Sequence, residues 1–168
     1  MSKRVYIMRH AKSSWKKPLP DRERPLNRRG KRAARLVGHA LARRGIRFDL
    51  VLSSPARRAR STAKKLLKAL GDDPARLTEQ PRLYGHAADE IVEILRQLDP
   101  RYDDILIVGH NPEISELAVL LSGDTRFEWL PTGALVALEF PIEKWEELKG
   151  GTGKVLFTLY PRSLEKES

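Results

Sequence analysis

The chain has 168 residues, 40% of them hydrophobic, and a formal net charge of +10. That length suits one domain covering residues 1–168, with a core buried between packed layers. The absence of Cys excludes thiol catalysis, disulfide stapling and cysteine-ligated zinc, and it favours a reducing compartment such as the cytoplasm.

In chain order, the apolar run Val5–Met8 predicts a first strand that leads into Arg9 and His10. The run is too short for a signal-peptide core, and no stretch approaches the roughly 20 apolar residues of a membrane helix. A soluble chain without a membrane partner is expected. Residues 13–23, with Pro18 and Pro20, read as a mobile entrance loop. Ala33, Val37, Ala40 and Leu41 then fall on one face of a helix. Leu50–Leu52 predicts a second strand, followed by Ser54-Pro55 and the helical spacing of Ala59, Ala63, Leu66, Leu67 and Leu70. Ile105–Val108 repeats the scheme, with Asn111-Pro112 ahead of Ile114, Leu117, Ala118 and Leu121. Both dipeptides place a capping residue before a proline suited to the first helical position. Ala134–Phe140 and Val155–Tyr160 alternate as late strands. Between them lie a short helical piece, Glu143–Leu148, and a tight Gly150, Gly151, Gly153 connection. Glu165–Ser168 reads as a frayed tail. The fold class is α/β: a three-layer α/β/α sandwich with a mostly parallel central sheet. Ligands of such sheets bind beyond the carboxyl ends of the strands.

Three segments reach that edge: Arg9-His10-Ala11-Lys12, Ser53-Ser54-Pro55-Ala56-Arg57-Arg58 and Gly109-His110-Asn111-Pro112. Together they supply two imidazoles, at least two guanidiniums and two helix N-termini, which describes a site for a dianion. His39, within a helical pattern, reads as a helix-face residue without a chemical role, and His86 lies in a Gly-containing loop. Residues 22–65 hold 15 Lys and Arg against only Glu23 and Asp49. A block of this kind attracts phosphorylated small molecules, phosphoproteins or nucleic acid, and solvated helix faces explain most of it equally well. A nucleic-acid-binding protein is the alternative from another class. Phe48 is the only aromatic in the block, so no stacking platform is evident, and nucleic acid is not the expected partner.

Four ordered motifs resemble the histidine phosphatase superfamily, with its phosphoglycerate mutase-like fold, and within it the SixA-like phosphohistidine phosphatases. They are Met8-Arg9-His10-Ala11-Lys12-Ser13-Ser14-Trp15, Arg24-Pro25-Leu26-Asn27 with Gly30, Ser53-Ser54-Pro55 with Arg58 and Thr62-Ala63, and Val108-Gly109-His110-Asn111-Pro112. Leu130-Pro131-Thr132-Gly133-Ala134 is similar as well. The resemblance implies that His10 is the nucleophile and carries the phosphoryl group. It further implies that Arg9, Arg58 and His110 hold phosphate oxygens with Arg24 as an additional ligand, and that neither metal nor cofactor is used.

The tautomer of His10 requires a fixed acceptor, for which a backbone carbonyl near Thr132 or Gly133 is the expectation. Arg82-Leu83-Tyr84-Gly85-His86 presents no obvious carboxylate, which leaves Asp21, Asp89 and Glu90 as candidate general acids. A missing strong acid favours a phosphoramidate, whose imidazole departs more easily than an alkoxide. The resemblance itself implies phosphohistidine on a protein as substrate, such as a histidine phosphotransfer domain. Small phosphorylated substrates are the alternative, handled by a phosphomonoester phosphatase or a phosphoglycerate mutase-like enzyme. Trp15, close behind the nucleophile loop, reads as packing or as part of the entrance.

Overall fold

Successive residues of a strand face opposite sides of its sheet. In β1 (Lys3–Arg9) Val5 and Ile7 join one apolar cluster and Tyr6 and Met8 the other, and all four are buried. A strand apolar on both faces belongs at the centre of a covered sheet. The structure is a computed structural model that describes residues 2–167. After β1 come α1 (Arg28–Arg43), β2 (Leu50–Ser53), α2 (Arg57–Leu70), β3 (Leu77–Glu79), α3 (Ala88–Arg96), β4 (Asp104–Gly109), α4 (Glu113–Ser122), β5 (Leu135–Phe140), β6 (Lys154–Leu159) and α5 (Pro161–Glu167).

The strands form one sheet in the order β3-β2-β4-β1-β5-β6. β1, β2, β3 and β4 pair in parallel. β5 runs against both of its neighbours, so β6 points the same way as β1. Ile91 and Leu95 of α3 and Ile114, Leu117 and Leu121 of α4 cover the Val5 face. Val37 and Leu41 of α1, Ala63, Leu66 and Leu67 of α2 and Leu164 of α5 cover the Tyr6 face. This is the expected α/β/α sandwich.

Several details differ from the sequence reading. The helices after β2 and β4 begin at Arg57 and Glu113, not at Pro55 and Pro112, because Ser54 and Asn111 make tertiary bonds described below. β3 and α3 went unread: β3 has three residues, two of them exposed, and α3 has nine residues with no side-chain cap at Ala87. Residues 165–167 belong to α5 instead of a frayed tail, because Leu164 is buried in the core. Met1 and Ser168 lie outside the described residues.

The turn after β1 is pinned from several directions. His10 N donates to Gly109 O at 2.9 Å, Gly133 N donates to His10 O at 3.0 Å, and Asn27 N donates to Lys12 O at 3.0 Å. The Asn27 side chain caps α1 by accepting from Gly30 N at 2.8 Å. A Cβ on Gly30 would sit 2.0 Å from Lys12 O, so the nucleophile turn can rest on the start of α1 only because residue 30 is glycine. Gly30→Ala is expected to lower the stability by about 1–3 kcal/mol, the usual cost of overpacking. Urea denaturation checks this, and a midpoint equal to wild type would contradict the packing.

Candidate active site

The ends of β1, β2 and β4 bring His10, Ser54 and His110 together at one edge. His10 Nδ1 lies 2.7 Å from Ala11 O. A carbonyl only accepts, so the proton resides on Nδ1 and Nε2 keeps its lone pair. The acceptor is therefore Ala11, not a carbonyl near Thr132 or Gly133. Gly133 instead uses its N–H, at φ 78°, to hold the carbonyls of Arg9 and His10. Ala11 is itself fixed, since its N–H donates to Thr62 Oγ1 at 3.0 Å while the Thr62 hydroxyl donates to Arg58 O at 2.7 Å.

The two imidazoles stand with ring centroids 5.1 Å apart. His110 Nε2 is 2.7 Å from Ser54 Oγ. Ser54 Oγ accepts from Ala56 N at 3.2 Å, and among the described residues its hydrogen has no acceptor other than His110 Nε2, so the hydroxyl donates there and the ring proton sits on Nδ1. That Nδ1, together with Arg9 Nε and Arg58 Nε, is buried without a protein hydrogen-bond partner. Three buried donors of this kind carry a large desolvation cost unless an acceptor meets them. Their grouping around His10 suits the oxygens of a tetrahedral anion.

Burial lowers the pKa of His10 to about 4, against the help of Ala11 O and reinforced by Arg58, Arg9 and Arg24. Burial, His10 and Arg58 lower that of His110 to about 3. Both rings are neutral near pH 7 in this structure, and His110 offers its Nδ1–H as a donor. Arg58 Nη1 donates to Asp21 O at 2.6 Å and Nη2 to Asp21 Oδ2 at 2.9 Å. Arg24 reaches Asp21 Oδ1 at 3.3 Å and Ser13 Oγ at 2.6 Å, and its guanidinium lies 3.5 Å from the centre of the Trp15 ring. Arg9 donates to Leu130 O at 3.0 Å beside Trp129.

Of the three candidate acids only Asp21 reaches this cluster. Desolvation raises its pKa, but bonds from Tyr84, Arg58 and Arg24 outweigh that and bring it down to about 2. Asp89 and Glu90 are corrected: they lie on the first turn of α3, where Asp89 accepts from Glu90 N and Glu90 pairs with His86, and neither touches the site. Residues 13–23 are tied down by Asp21 and by the Ser13–Leu26 bridge. Trp15 is 77% exposed, so it forms part of the entrance and not of the core. The sequence assigned no role to Tyr84, which donates to Asp21 Oδ2 at 2.7 Å, nor to Ser54 and Thr62 beyond helix capping by Ser54 and their place in a family motif. Asn111 also acts at a distance, tying the site to the next loop through Nδ2 to Leu130 O at 2.9 Å.

A family model for the histidine phosphatase superfamily (branch 1) matches residues 5–87, the stretch that contains His10, Arg24 and Arg58. A Mycobacterium tuberculosis protein is 41% identical over 164 residues, covering 92% of this chain and all of its own. The chain belongs to the histidine phosphatase superfamily. Among solved structures, a Nakamurella multipartitia protein assigned as the phosphohistidine phosphatase SixA superposes with a TM-score of 0.81. It is 26% identical, over 96% of this chain and 97% of that one. A SixA protein histidine phosphatase complexed with tungstate gives a TM-score of 0.82 at 24% identity, over 96% and 99% of the two chains, and shows the shared fold. The family match and the likeness to the Nakamurella SixA structure together support a phosphatase. Among the described residues no helix is long and apolar enough to cross a membrane.

The two buried imidazoles make stability depend on pH. In the unfolded chain each His takes a proton near pH 6.5, whereas in this histidine phosphatase protonation waits until about pH 4 for His10 and about pH 3 for His110. Protons therefore favour the unfolded state, and stability is full above pH 6.5 and falls as the pH drops toward 4. Between pH 7.5 and 5 the expected loss is about 2 kcal/mol per imidazole. Urea denaturation at the two pH values measures it, and a His10→Gln/His110→Gln double variant should show a flatter dependence. Equal slopes would contradict the neutral assignment.

Proposed function

We propose that this phosphatase removes phosphoryl groups from phosphohistidine on a protein, through a covalent phosphohistidine on His10. The observation that carries the reading is the 2.7 Å contact between His10 Nδ1 and Ala11 O, which leaves the Nε2 lone pair as the nucleophile at neutral pH. Nε2 forms a bond to phosphorus while the substrate's N–P bond breaks, and that electron pair leaves on the substrate imidazole. The ring departs neutral when its other nitrogen bears a proton. Water then attacks phospho-His10, the pair of the breaking P–N bond returns to Nε2, and inorganic phosphate leaves. Arg9 Nε, Arg58 Nε and His110 Nδ1, buried without partners, hold the oxygens as charge shifts. Tungstate, a tetrahedral oxyanion held by a SixA relative, is a ligand of the same shape.

The choice of substrate rests on Asp21. It is the one carboxylate bonded to the site's arginines among the described residues, and it is ionised, so it has no proton to give an alkoxide. A phosphoramidate needs none at that atom. Small phosphomonoesters are accordingly the slower substrates. A protein bearing a histidine phosphotransfer domain fits as partner.

The test offers a histidine-phosphorylated protein and an aryl phosphate to wild type and His10→Ala in the presence of EDTA. Wild type is expected to prefer the protein, and His10→Ala to lose at least about 10³-fold in turnover, as nucleophile deletions do. Equal turnover by the variant, or a requirement for added metal, would overturn the mechanism. Asp21→Asn separates counter-ion from acid. As a counter-ion its removal should tighten inhibition by inorganic phosphate several-fold and slow phosphohistidine turnover by less than about tenfold, whereas loss of a general acid costs about 10²-fold or more.

A further inference from the structure

Beside the nucleophile turn lies a cavity of about 550 Å³ lined by Lys12, Arg29, Thr132, Tyr160, Arg162 and Glu165 among others. Lys12, Arg29 and Arg162 are exposed. None of the three has a side-chain hydrogen bond, ion pair or ring contact among the described residues. They come from three different elements: the turn after β1, the first turn of α1 and the start of α5. The three cations outnumber the one carboxylate that lines the cavity, Glu165, and leave a net positive field there.

Topology sets where this cavity opens. β6 runs parallel to β1 through the intervening β5, so Tyr160, just past the end of β6, lies at the same sheet edge as His10. Two strand spacings separate them, about 10 Å. Lys12 is two residues from His10, and Thr132 precedes Gly133, whose N–H holds the His10 carbonyl. The cavity thus lies beside the turn that carries His10. Trp129, 63% exposed two residues before Pro131 and stacked by Arg9, presents an aromatic surface of the kind enriched at protein interfaces.

We infer that this basic groove docks an acidic segment of the phosphoprotein substrate, placing carboxylates on Lys12, Arg29 and Arg162 while the phosphoryl group meets His10. The inference rests on the phosphohistidine reading for its substrate. Spread over three elements, the cations match several spaced carboxylates better than one compact anion. At 3.3 Å per residue, a distance of about 10 Å corresponds to roughly three extended residues from the phosphohistidine.

Two arms test it with the intact chain. In the first, a labelled, unphosphorylated peptide with four Glu in eight residues is titrated at low salt by fluorescence anisotropy. The variant Arg29→Glu/Arg162→Glu should bind it at least about tenfold more weakly than wild type. The control, Arg35→Glu/Lys68→Glu, has the same change in net charge at a separate cavity and should lose much less. Equal affinities of wild type and groove variant, or an equal loss in the control, would overturn the groove whatever the enzyme hydrolyses.

The second arm compares phosphohistidine peptides with Asp or Asn three to five residues from the phosphorylated residue. Wild type should favour the Asp peptide in kcat/KM, and the groove variant should lose that preference while hydrolysing the Asn peptide and an aryl phosphate as wild type does. A preference kept by the variant, or absent from wild type, would overturn the docking role. Failure to hydrolyse either peptide, with the aryl phosphate still turned over, would instead overturn the phosphohistidine reading and leave the binding arm to decide the groove.

Discussion

The hydrogen bond from His10 Nδ1 to the carbonyl of Ala11 is the constraint on which the rest of the site depends. An imidazole can attack phosphorus only through a nitrogen that keeps its lone pair, and an acceptor at the other nitrogen decides which one that is. The acceptor belongs to the next residue, so the turn itself must be rigid. Rigidity comes from Thr62 beneath Ala11, Gly109 and Gly133 on either side of His10, and Asn27 on Lys12. Gly30 belongs to the same arrangement, since any side chain there would push Lys12 away. Residues spread over four elements thus serve one tautomer.

Electrostatics imposes the second condition. Arg9, Arg24 and Arg58 are positive, Asp21 is ionised, and both imidazoles are neutral, which leaves the pocket at net +2. A phosphoryl group carries up to two negative charges near neutral pH, so the pocket and its ligand balance. Asp21 and Tyr84 also hold Arg58 in place from the side remote from its free Nε. The basic block of residues 22–65 divides accordingly. Arg24 and Arg58 are buried at the site, while most of the others lie on exposed faces of α1 and α2 or in adjoining loops. Local charge density in the sequence reflected both uses at once and could not separate them.

Much of the sandwich was legible because buried strands and amphipathic helices leave periodic apolar patterns. Val5–Met8, Ile105–Val108 and the Ala59 to Leu70 spacing each survive in the structure as β1, β4 and α2. Short elements leave too little pattern: β3 has only Leu77 facing inward, and α3 lacks a capping side chain. The helix starts were misplaced for a related reason. Ser54 and Asn111 look like caps in sequence, and both accept a local bond, from Ala56 N and from Ser115 Oγ, but they also bond His110 and Leu130, partners that meet them only after the chain has folded.

The chain by itself determined that His10, Arg9, Arg58 and His110 end up at strand ends, because strand, turn and helix periodicity is local information. Tertiary structure alone decided which carbonyl sets the His10 tautomer, that Asp21 and not Asp89 or Glu90 reaches the arginines, and that Lys12, Arg29 and Arg162 share one groove. These depend on bringing together residues as far as 150 positions apart, or on choices among several equally near carbonyls. Their outcome depends on how the layers stack and not on any pattern along the chain.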